Sequence, residues 1–141
     1  MLDLAGGWTL SEESGAHVVP FDLPGDGISA LVRAGVIPDP YWGRNEYDLR
    51  WVSERDWVAT RTFTHDGSPA DLCIEGLDCV VEVRLNGMHL ADCANAFRRW
   101  RLPTYDRLRA GENRLELHFR SPVAEAARRQ EGQPFFVPYA K

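Results

Sequence analysis

One short segment of the sequence concentrates the side chains suited to binding a polar ligand. Residues 39–46 read Asp-Pro-Tyr-Trp-Gly-Arg-Asn-Glu, so two adjacent aromatic residues stand beside carboxylate and amide groups on a proline-stiffened backbone. Aromatic rings stack on the apolar C–H faces of sugars, while carboxylates and amides pair with sugar hydroxyls. The residues that we predict to contact a carbohydrate are Asp39, Tyr41, Trp42, Asn45 and Glu46.

The same segment also has a purely structural interpretation. Tyr41 and Trp42 would then cap the hydrophobic core, and the polar side chains would satisfy the backbone of a long loop. The sequence gives neither the burial nor the direction of these side chains. Both interpretations therefore stay open at this point.

The sequence lacks the spacings that mark common catalytic and metal centres. Its four histidines form neither His-x-x-x-His nor His-Glu-x-x-His, and no Gly-x-Ser-x-Gly or phosphate-binding glycine loop is present. His89 and His118 fall at polar positions of predicted strands, which predicts that they lie at the surface. Cys73, Cys79 and Cys93 are an odd number without a Cys-x-x-Cys pair, which is typical of free thiols. We therefore predict no catalytic residue, no metal and no cofactor in this chain.

Short strands separated by turn residues predict an all-β sandwich. The predicted strands cover residues 8–10, 18–21, 57–64, 72–75, 81–85, 88–92, 97–102 and 114–120. Short helices or helical turns are predicted at 28–34, 47–51 and 123–130. Asn86-Gly87 is typical of a type I′ hairpin turn, and residues 110–113 also predict a turn.

Composition narrows the class of protein further. A chain of 141 residues fits one domain, and its 16 basic and 21 acidic residues give a net charge of −5. That charge argues against a nucleic-acid-binding face and against a polybasic membrane anchor. The sequence has no apolar stretch of the about 18 residues that a membrane span needs. Because the N terminus lacks the pattern of a secretory signal and the cysteines predict free thiols, we expect a cytoplasmic protein.

Several segments together resemble a known family. Residues 80–87, 95–100 and 108–115 resemble the N-terminal sugar-binding domain of family 2 glycoside hydrolases, a jelly-roll sandwich of the galactose-binding-domain-like kind. Residues 37–46, followed by Trp51-Val52 and Asp56-Trp57, are similar to the β-mannosidase branch of that family, as is the opening Gly-Trp-Thr-Leu at 7–10. The resemblance covers essentially the whole chain.

The resemblance implies a role within a larger enzyme. In this family the sugar-binding domain precedes immunoglobulin-like domains and a TIM barrel, on which two glutamates perform retaining hydrolysis. Residues 1–141 are thus expected to be an incomplete, non-catalytic N-terminal domain, truncated before its last strand or strands and before the family's Trp-Asp-Trp-Gly motif. The expected partners are a β-mannoside substrate and the other domains of the same chain, and the loop 39–46 is expected to wall the pocket for a terminal β-linked mannose.

Other functions stay open beside this one. The chain would alternatively be a free-standing carbohydrate-binding module, a domain of a β-galactosidase or β-glucuronidase, or an interaction domain that touches no sugar. The apolar tail at 134–139 argues against a self-sufficient module. A sandwich that lacks a terminal strand leaves a sheet edge open, which predicts self-association of the chain.

Overall fold

The computed structural model describes residues 1–136, which form eight β-strands and three α-helices. The strands are β1 (Trp8–Glu12), β2 (Val18–Phe21), β3 (Trp57–Asp66), β4 (Asp71–Ile74), β5 (Val80–Leu85), β6 (Met88–Ala94), β7 (Trp100–Pro103) and β8 (Ala110–Phe119). The helices are α1 (Gly27–Arg33), α2 (Asn45–Asp48) and α3 (Pro122–Gln130), and single 3-10 turns lie at Arg50–Val52 and Tyr105–Arg107.

Six of the strands form one antiparallel sheet in the order β2-β1-β3-β8-β5-β6. Glu12 at the end of β1 pairs with Trp57 at the start of β3, and Phe119 at the end of β8 pairs with both Trp57 and Val81. Ala94, the last residue of β6, pairs with the first residue of β5 at the same end. These residues mark what we call the upper end of the sheet. The segments that enter β3 and leave β6 and β8 therefore all lie at this end.

Strand β5 shows how the alternating sequence builds the core. Val81, Val83 and Leu85 are each at most 2% exposed and face inward. Glu82 and Arg84 lie on the opposite face, where the Arg84 Nε donates a 2.6 Å hydrogen bond to Glu82. This bond holds the pKa of the Glu82 carboxyl below its ordinary value. Burial of the inward-facing apolar side chains stabilises the fold, while the outward-facing charged side chains form a polar surface on the other face of the sheet.

A second layer packs against the inner face of this sheet. It consists of the two-stranded sheet β4–β7 and helix α1. Leu102 of β7 and Leu31 of α1 belong to the same buried cluster as Trp8 and Val83. The arrangement is an all-β sandwich of two layers around one core, with short helices at its margins, as the sequence predicts.

Several local predictions are confirmed. Asn86 and Gly87 have φ angles of 54° and 78°, as a type I′ turn requires. Helix α1 begins one residue before its predicted start, and Gly35 follows it with a φ of 68°. Pro20 lies in β2, an outer strand of the six-stranded sheet, where its missing N–H costs no central ladder bond. Turn chemistry in the sequence therefore places these elements reliably.

The turn predicted at residues 110–113 is wrong, because these residues belong to β8. Asn113 is fully buried, and its amide nitrogen donates to the carbonyls of Arg109 and Gly111 at 2.8 and 3.0 Å. Its Oδ1 accepts hydrogen bonds from the Arg109 N–H at 3.0 Å and from the Asn86 amide at 2.8 Å. Hydrogen bonds from an asparagine side chain to nearby backbone groups are typical of turns, but Asn113 makes them while it lies in a strand.

Two further predictions are corrected by the structure. The strand predicted from residue 97 begins at Trp100, because Asn95 Oδ1 accepts a 2.9 Å bond from the Phe97 N–H and closes a turn there. The surface position predicted for His118 is also wrong, since its side chain is only 18% exposed. It pairs across the sheet with Glu82, and its Nε2 lies 4.0 Å from the Glu116 carboxylate.

The exposed edges of the sheet and the described part of the apolar tail do not test whether the chain associates with itself. Strands β2 and β6 are the outer strands of the large sheet. Phe135 and Phe136 of the predicted apolar tail are 73% and 71% exposed, and the rest of that tail, beyond residue 136, lies outside the described residues. Self-association of the chain stays a prediction.

Candidate functional site

The loop 38–48 crosses the surface between two buried anchors. Ile37 and Leu49 are 4% and 9% exposed and both belong to the core cluster, whereas none of the residues between them is buried. After Leu49 the chain makes the 3-10 turn that ends at Val52, whose carbonyl accepts a 2.9 Å bond from the Trp57 indole. The loop therefore stands at the upper end of the sheet, with its side chains outside the core.

Stacked rings secure the chain just after the loop. Trp51 lies between His17 and Trp57, with ring centroids 5.2 Å and 6.3 Å apart. Nearby, Glu12 is only 7% exposed and lies 3.9 Å from the His17 imidazole and 3.7 Å from the Arg55 guanidinium. These contacts tie the chain that follows the loop to the top of β1 and β3.

The two aromatic residues of the loop project into solvent. The side chains of Tyr41 and Trp42 are 95% and 78% exposed. The interpretation in which they cap the core is therefore wrong. Two neighbouring aromatic side chains with this much exposure are unusual on a folded surface and indicate a surface to which another molecule or domain binds.

Hydrogen bonds within the loop fix its backbone. Asp39 Oδ1 accepts a 2.9 Å bond from the Tyr41 N–H, and the Asp39 carbonyl accepts bonds from the Asn45 side chain at 2.8 Å and the Trp42 N–H at 3.2 Å. The Asn45 N–H in turn donates to the Trp42 carbonyl at 3.2 Å. Asp39 and Asn45 thus spend part of their hydrogen-bonding capacity on holding the loop that carries the aromatic pair.

The remaining polar capacity of the loop is open to a ligand. Glu46 lies exposed in the first turn of α2, and among residues 1–136 it has no hydrogen-bond or ion-pair partner. Asp39 keeps its second carboxylate oxygen, and Asn45 keeps its side-chain oxygen. The structure thus brings all five predicted residues into one compact loop, in which two rings and several acceptors face solvent together. That combination can stack on and hydrogen-bond to a polyhydroxylated ligand.

One feature of the loop escaped the sequence analysis. The Tyr47 ring lies under two guanidinium groups, with the central carbons of Arg44 and Arg50 at 5.3 Å and 5.0 Å from its centroid. The signal was present in the spacing, because side chains three residues apart meet on a helical turn. It was missed because the segment predicted only a generic helix or turn.

The basic cluster beside Trp100 forms a separate exposed patch. The Arg98 guanidinium stacks 4.3 Å from the Trp100 ring, and the Arg101 Nε donates a 2.6 Å bond to Asp71. Arg98, Arg99 and Arg101 are all exposed. Only Arg101 of the three lies in a strand, because Arg98 and Arg99 precede the start of β7 at Trp100. Contact with another domain stays a prediction.

The part of the chain that the structure describes shows no metal-binding group. Between residues 1 and 136, no three His, Cys, Asp or Glu side chains are placed to hold an ion together, and no helix is long and apolar enough to cross a membrane. Cys73 and Cys79 are exposed free thiols, while burial raises the pKa of the Cys93 thiol. The predicted cytoplasmic location stays a prediction.

One known family of domains matches nearly the whole chain. The family described as "Glycosyl hydrolase 2 galactose-binding domain-like" matches residues 8–141, and the chain belongs to this family.

The relatives of the chain narrow the comparison to one kind of enzyme. It is 31% identical over 135 residues to a "Probable beta-mannosidase" of Caenorhabditis elegans, covering 93% of this chain and 15% of the relative. It is 33% identical to a "Beta-mannosidase" of Bos taurus, covering 92% of this chain and 15% of that protein. The chain therefore spans about 15% of the length of these curated relatives.

Solved structures show the same pattern. The β-D-mannosidase of Dictyoglomus thermophilum superimposes with a TM-score of 0.89 at 31% identity, over 95% of this chain and 17% of that one. A β-D-glucuronidase of the same organism covers 84% of this chain and 19% of its own, with a TM-score of 0.61 at 17% identity, which is a likeness of fold alone. The sandwich is thus shared among several glycosidases, and the sequence lies nearer to the β-mannosidases.

Proposed function

We propose that this chain is the non-catalytic sugar-binding domain of a retaining β-mannosidase. In this proposal the loop 39–46 forms part of the wall of the pocket that holds a terminal, non-reducing β-linked mannose. The observation that carries it is the pair of solvent-exposed rings, Tyr41 and Trp42, on a loop whose backbone is fixed by its own hydrogen bonds. The identity to β-mannosidases over nearly all of the chain supports the choice of sugar.

The loop would act by binding and orientation. A ring such as Trp42 contributes by covering the C–H face of a pyranose, and Glu46 and Asp39 offer acceptors for its hydroxyls. Retaining hydrolysis needs two carboxyl groups about 5–5.5 Å apart across the scissile bond, and the family places them on a barrel. The binding energy of the loop would therefore appear in KM or kcat/KM, while proton transfer and bond cleavage belong to the catalytic domain.

The substrate assignment is tested by activity on matched aryl glycosides. We expect the intact polypeptide that carries this domain to hydrolyse 4-nitrophenyl β-mannoside at least about 100-fold faster, in kcat/KM, than the β-galactoside or β-glucuronide. A preference for the galactoside or glucuronide would replace β-mannosidase by a sister enzyme.

A free-standing carbohydrate-binding module is the second candidate. It is favoured by the same exposed rings, since such a module would need no further domain to present them. A titration of the 141-residue chain with methyl β-mannoside, followed by heteronuclear NMR, separates the two. Saturable shifts at Tyr41, Trp42 and Asn45 would favour the module. Their absence at tens of millimolar sugar, where a ligand with a Kd of about 10 mM would still register, would favour a half-pocket completed by another domain.

A further inference from the structure

The loop 38–48 owes its order to polar and aromatic contacts, because no residue within it is buried. One of these contacts is the stack in which the guanidinium carbons of Arg44 and Arg50 lie 5.3 Å and 5.0 Å from the Tyr47 ring centroid. A guanidinium within about 6 Å of an aromatic centroid is attracted by the ring's quadrupole. Through the Tyr47 ring, the residue before α2, Arg44, is linked to the first residue of the 3-10 turn after it, Arg50.

This stack is connected to Trp42 through a very short stretch of backbone. A single residue, Gly43, separates Trp42 from Arg44, and its φ of 62° reverses the chain between them. The Arg44 carbonyl accepts a 3.1 Å bond from the Tyr47 N–H, and the Trp42 carbonyl accepts a 3.2 Å bond from the Asn45 N–H. The stacked Arg44 and the exposed Trp42 therefore lie on either side of one hydrogen-bonded turn.

We propose that Tyr47, whose ring stacks with the guanidinium groups of Arg44 and Arg50, is a positioning residue that sets the direction of the exposed Trp42 ring. Tyr47 itself need not touch a sugar. Only the effect on sugar binding rests on the proposed function: if Trp42 stacks on mannose, loosening the Tyr47 stack weakens that contact. The positioning itself is a property of this chain and is measured without any sugar.

The test compares three variants of the 141-residue chain. Tyr47→Leu removes the ring from the stack, and Tyr47→Phe keeps the ring. Tyr105→Leu is the matched control, because the Arg107 guanidinium lies 5.9 Å from the exposed Tyr105 ring, beyond the lower end of the sheet. The readouts are hydrogen exchange at the Trp42 and Asn45 amides and the indole NMR line of Trp42.

The positioning role predicts a specific pattern of results. Tyr47→Leu should speed exchange at both amides about tenfold and sharpen the Trp42 indole line. Tyr47→Phe keeps the ring in the stack and should stay much closer to the wild-type values. Tyr105→Leu should leave Trp42 unchanged. Wild-type exchange in Tyr47→Leu would overturn the proposal. If Tyr47→Leu does not fold, the double variant Arg44→Gln/Arg50→Gln removes both cations instead and is judged by the same criteria.

A sugar measurement then separates this inference from the proposed function. In the intact enzyme, Tyr47→Leu should raise KM for a β-mannoside about fivefold with little change in kcat, and Tyr47→Phe should rescue it. Faster exchange together with an unchanged KM would retain the positioning role and reject the sugar contact of Trp42. Unchanged exchange would reject the positioning role whatever the kinetics show.

Discussion

Asn113 offers a sharp test of how the sandwich is held together. It is fully buried and makes four hydrogen bonds, to the N–H and carbonyl of Arg109, the Gly111 carbonyl and the Asn86 side chain. Each bond contributes about 0.5–1.5 kcal/mol net, so their sum is about 2–6 kcal/mol. Because Arg109 is exposed enough for water to replace part of the loss, we expect Asn113→Ala to cost about 3 kcal/mol.

The assay is urea unfolding followed by tryptophan fluorescence, with a thermal scan beside it. A loss of about 3 kcal/mol corresponds to a fall in Tm of about 10 °C for a domain of this size. Asn113→Asp should be at least as destabilising, because a carboxylate oxygen would face the carbonyls of Arg109 and Gly111.

Asn95→Ala is the matched control for this prediction. Asn95 is exposed, and its side chain accepts a bond from the Phe97 N–H alone. Its replacement should cost about 1 kcal/mol or less. An Asn113→Ala variant that loses less than about 1 kcal/mol would refute the role assigned to the buried asparagine network.

Two further predictions concern titratable groups. Cys93 should resist a thiol reagent such as Ellman's reagent at pH 8 until the protein unfolds, while the two exposed cysteines react at once; three fast thiols would contradict its burial. Hydrogen bonds from Arg128 and Arg129 lower the pKa of the Glu125 carboxyl to about 2. The ionised carboxylate therefore stabilises α3 fully at pH values above about 4.3, the pKa of a glutamate in the unfolded chain, and this stabilisation is lost as the pH falls through 2. The α3 amide shifts should titrate in that window and cease to do so in Glu125→Gln, and a midpoint near 4.3 in the wild type would contradict the pairing.

The sequence predicts most of the fold because its strands carry strong local signals. The alternation of Val81, Val83 and Leu85 with charged residues matches the pleat, and the type I′ turn at Asn86-Gly87 fixes the register of the hairpin. These signals are read within a few residues of each other. They need no knowledge of distant parts of the chain.

The misplaced elements depend on contacts between distant residues. Asn113 reads as a turn residue, and only its bond to Asn86, 27 positions away, shows why it is buried in β8. The alternation of the strand predicts that His118 is a surface residue, but its side chain is only 18% exposed at its position opposite Glu82 of the neighbouring strand. Turn and strand propensities describe each residue by itself, whereas the burial of the Asn113 and His118 side chains results from the assembly of the whole sheet.

The candidate site divides in the same way. The residue types of the site are evident in the sequence of residues 39–46. The exposure of Tyr41 and Trp42 rules out that these rings cap the core, and contact with a sugar stays a prediction. The three-residue spacing of Arg44, Tyr47 and Arg50 predicts a stack only if the segment is known to be helical. A helix of only four residues has no hydrophobic periodicity that would show this in the sequence.

The central claim is that Trp42 lines the pocket for a terminal β-linked mannose, and the kinetics of Trp42→Ala in the intact enzyme test it most directly. Losing a stacked ring is worth about 1.5–3 kcal/mol, so kcat/KM for a β-mannoside should fall about 10- to 100-fold with the fold retained by circular dichroism. Trp42→Phe should recover part of the loss, and Tyr105→Ala, an equally exposed aromatic beyond the opposite end of the sheet, should have no effect. An unchanged kcat/KM in folded Trp42→Ala would contradict the account.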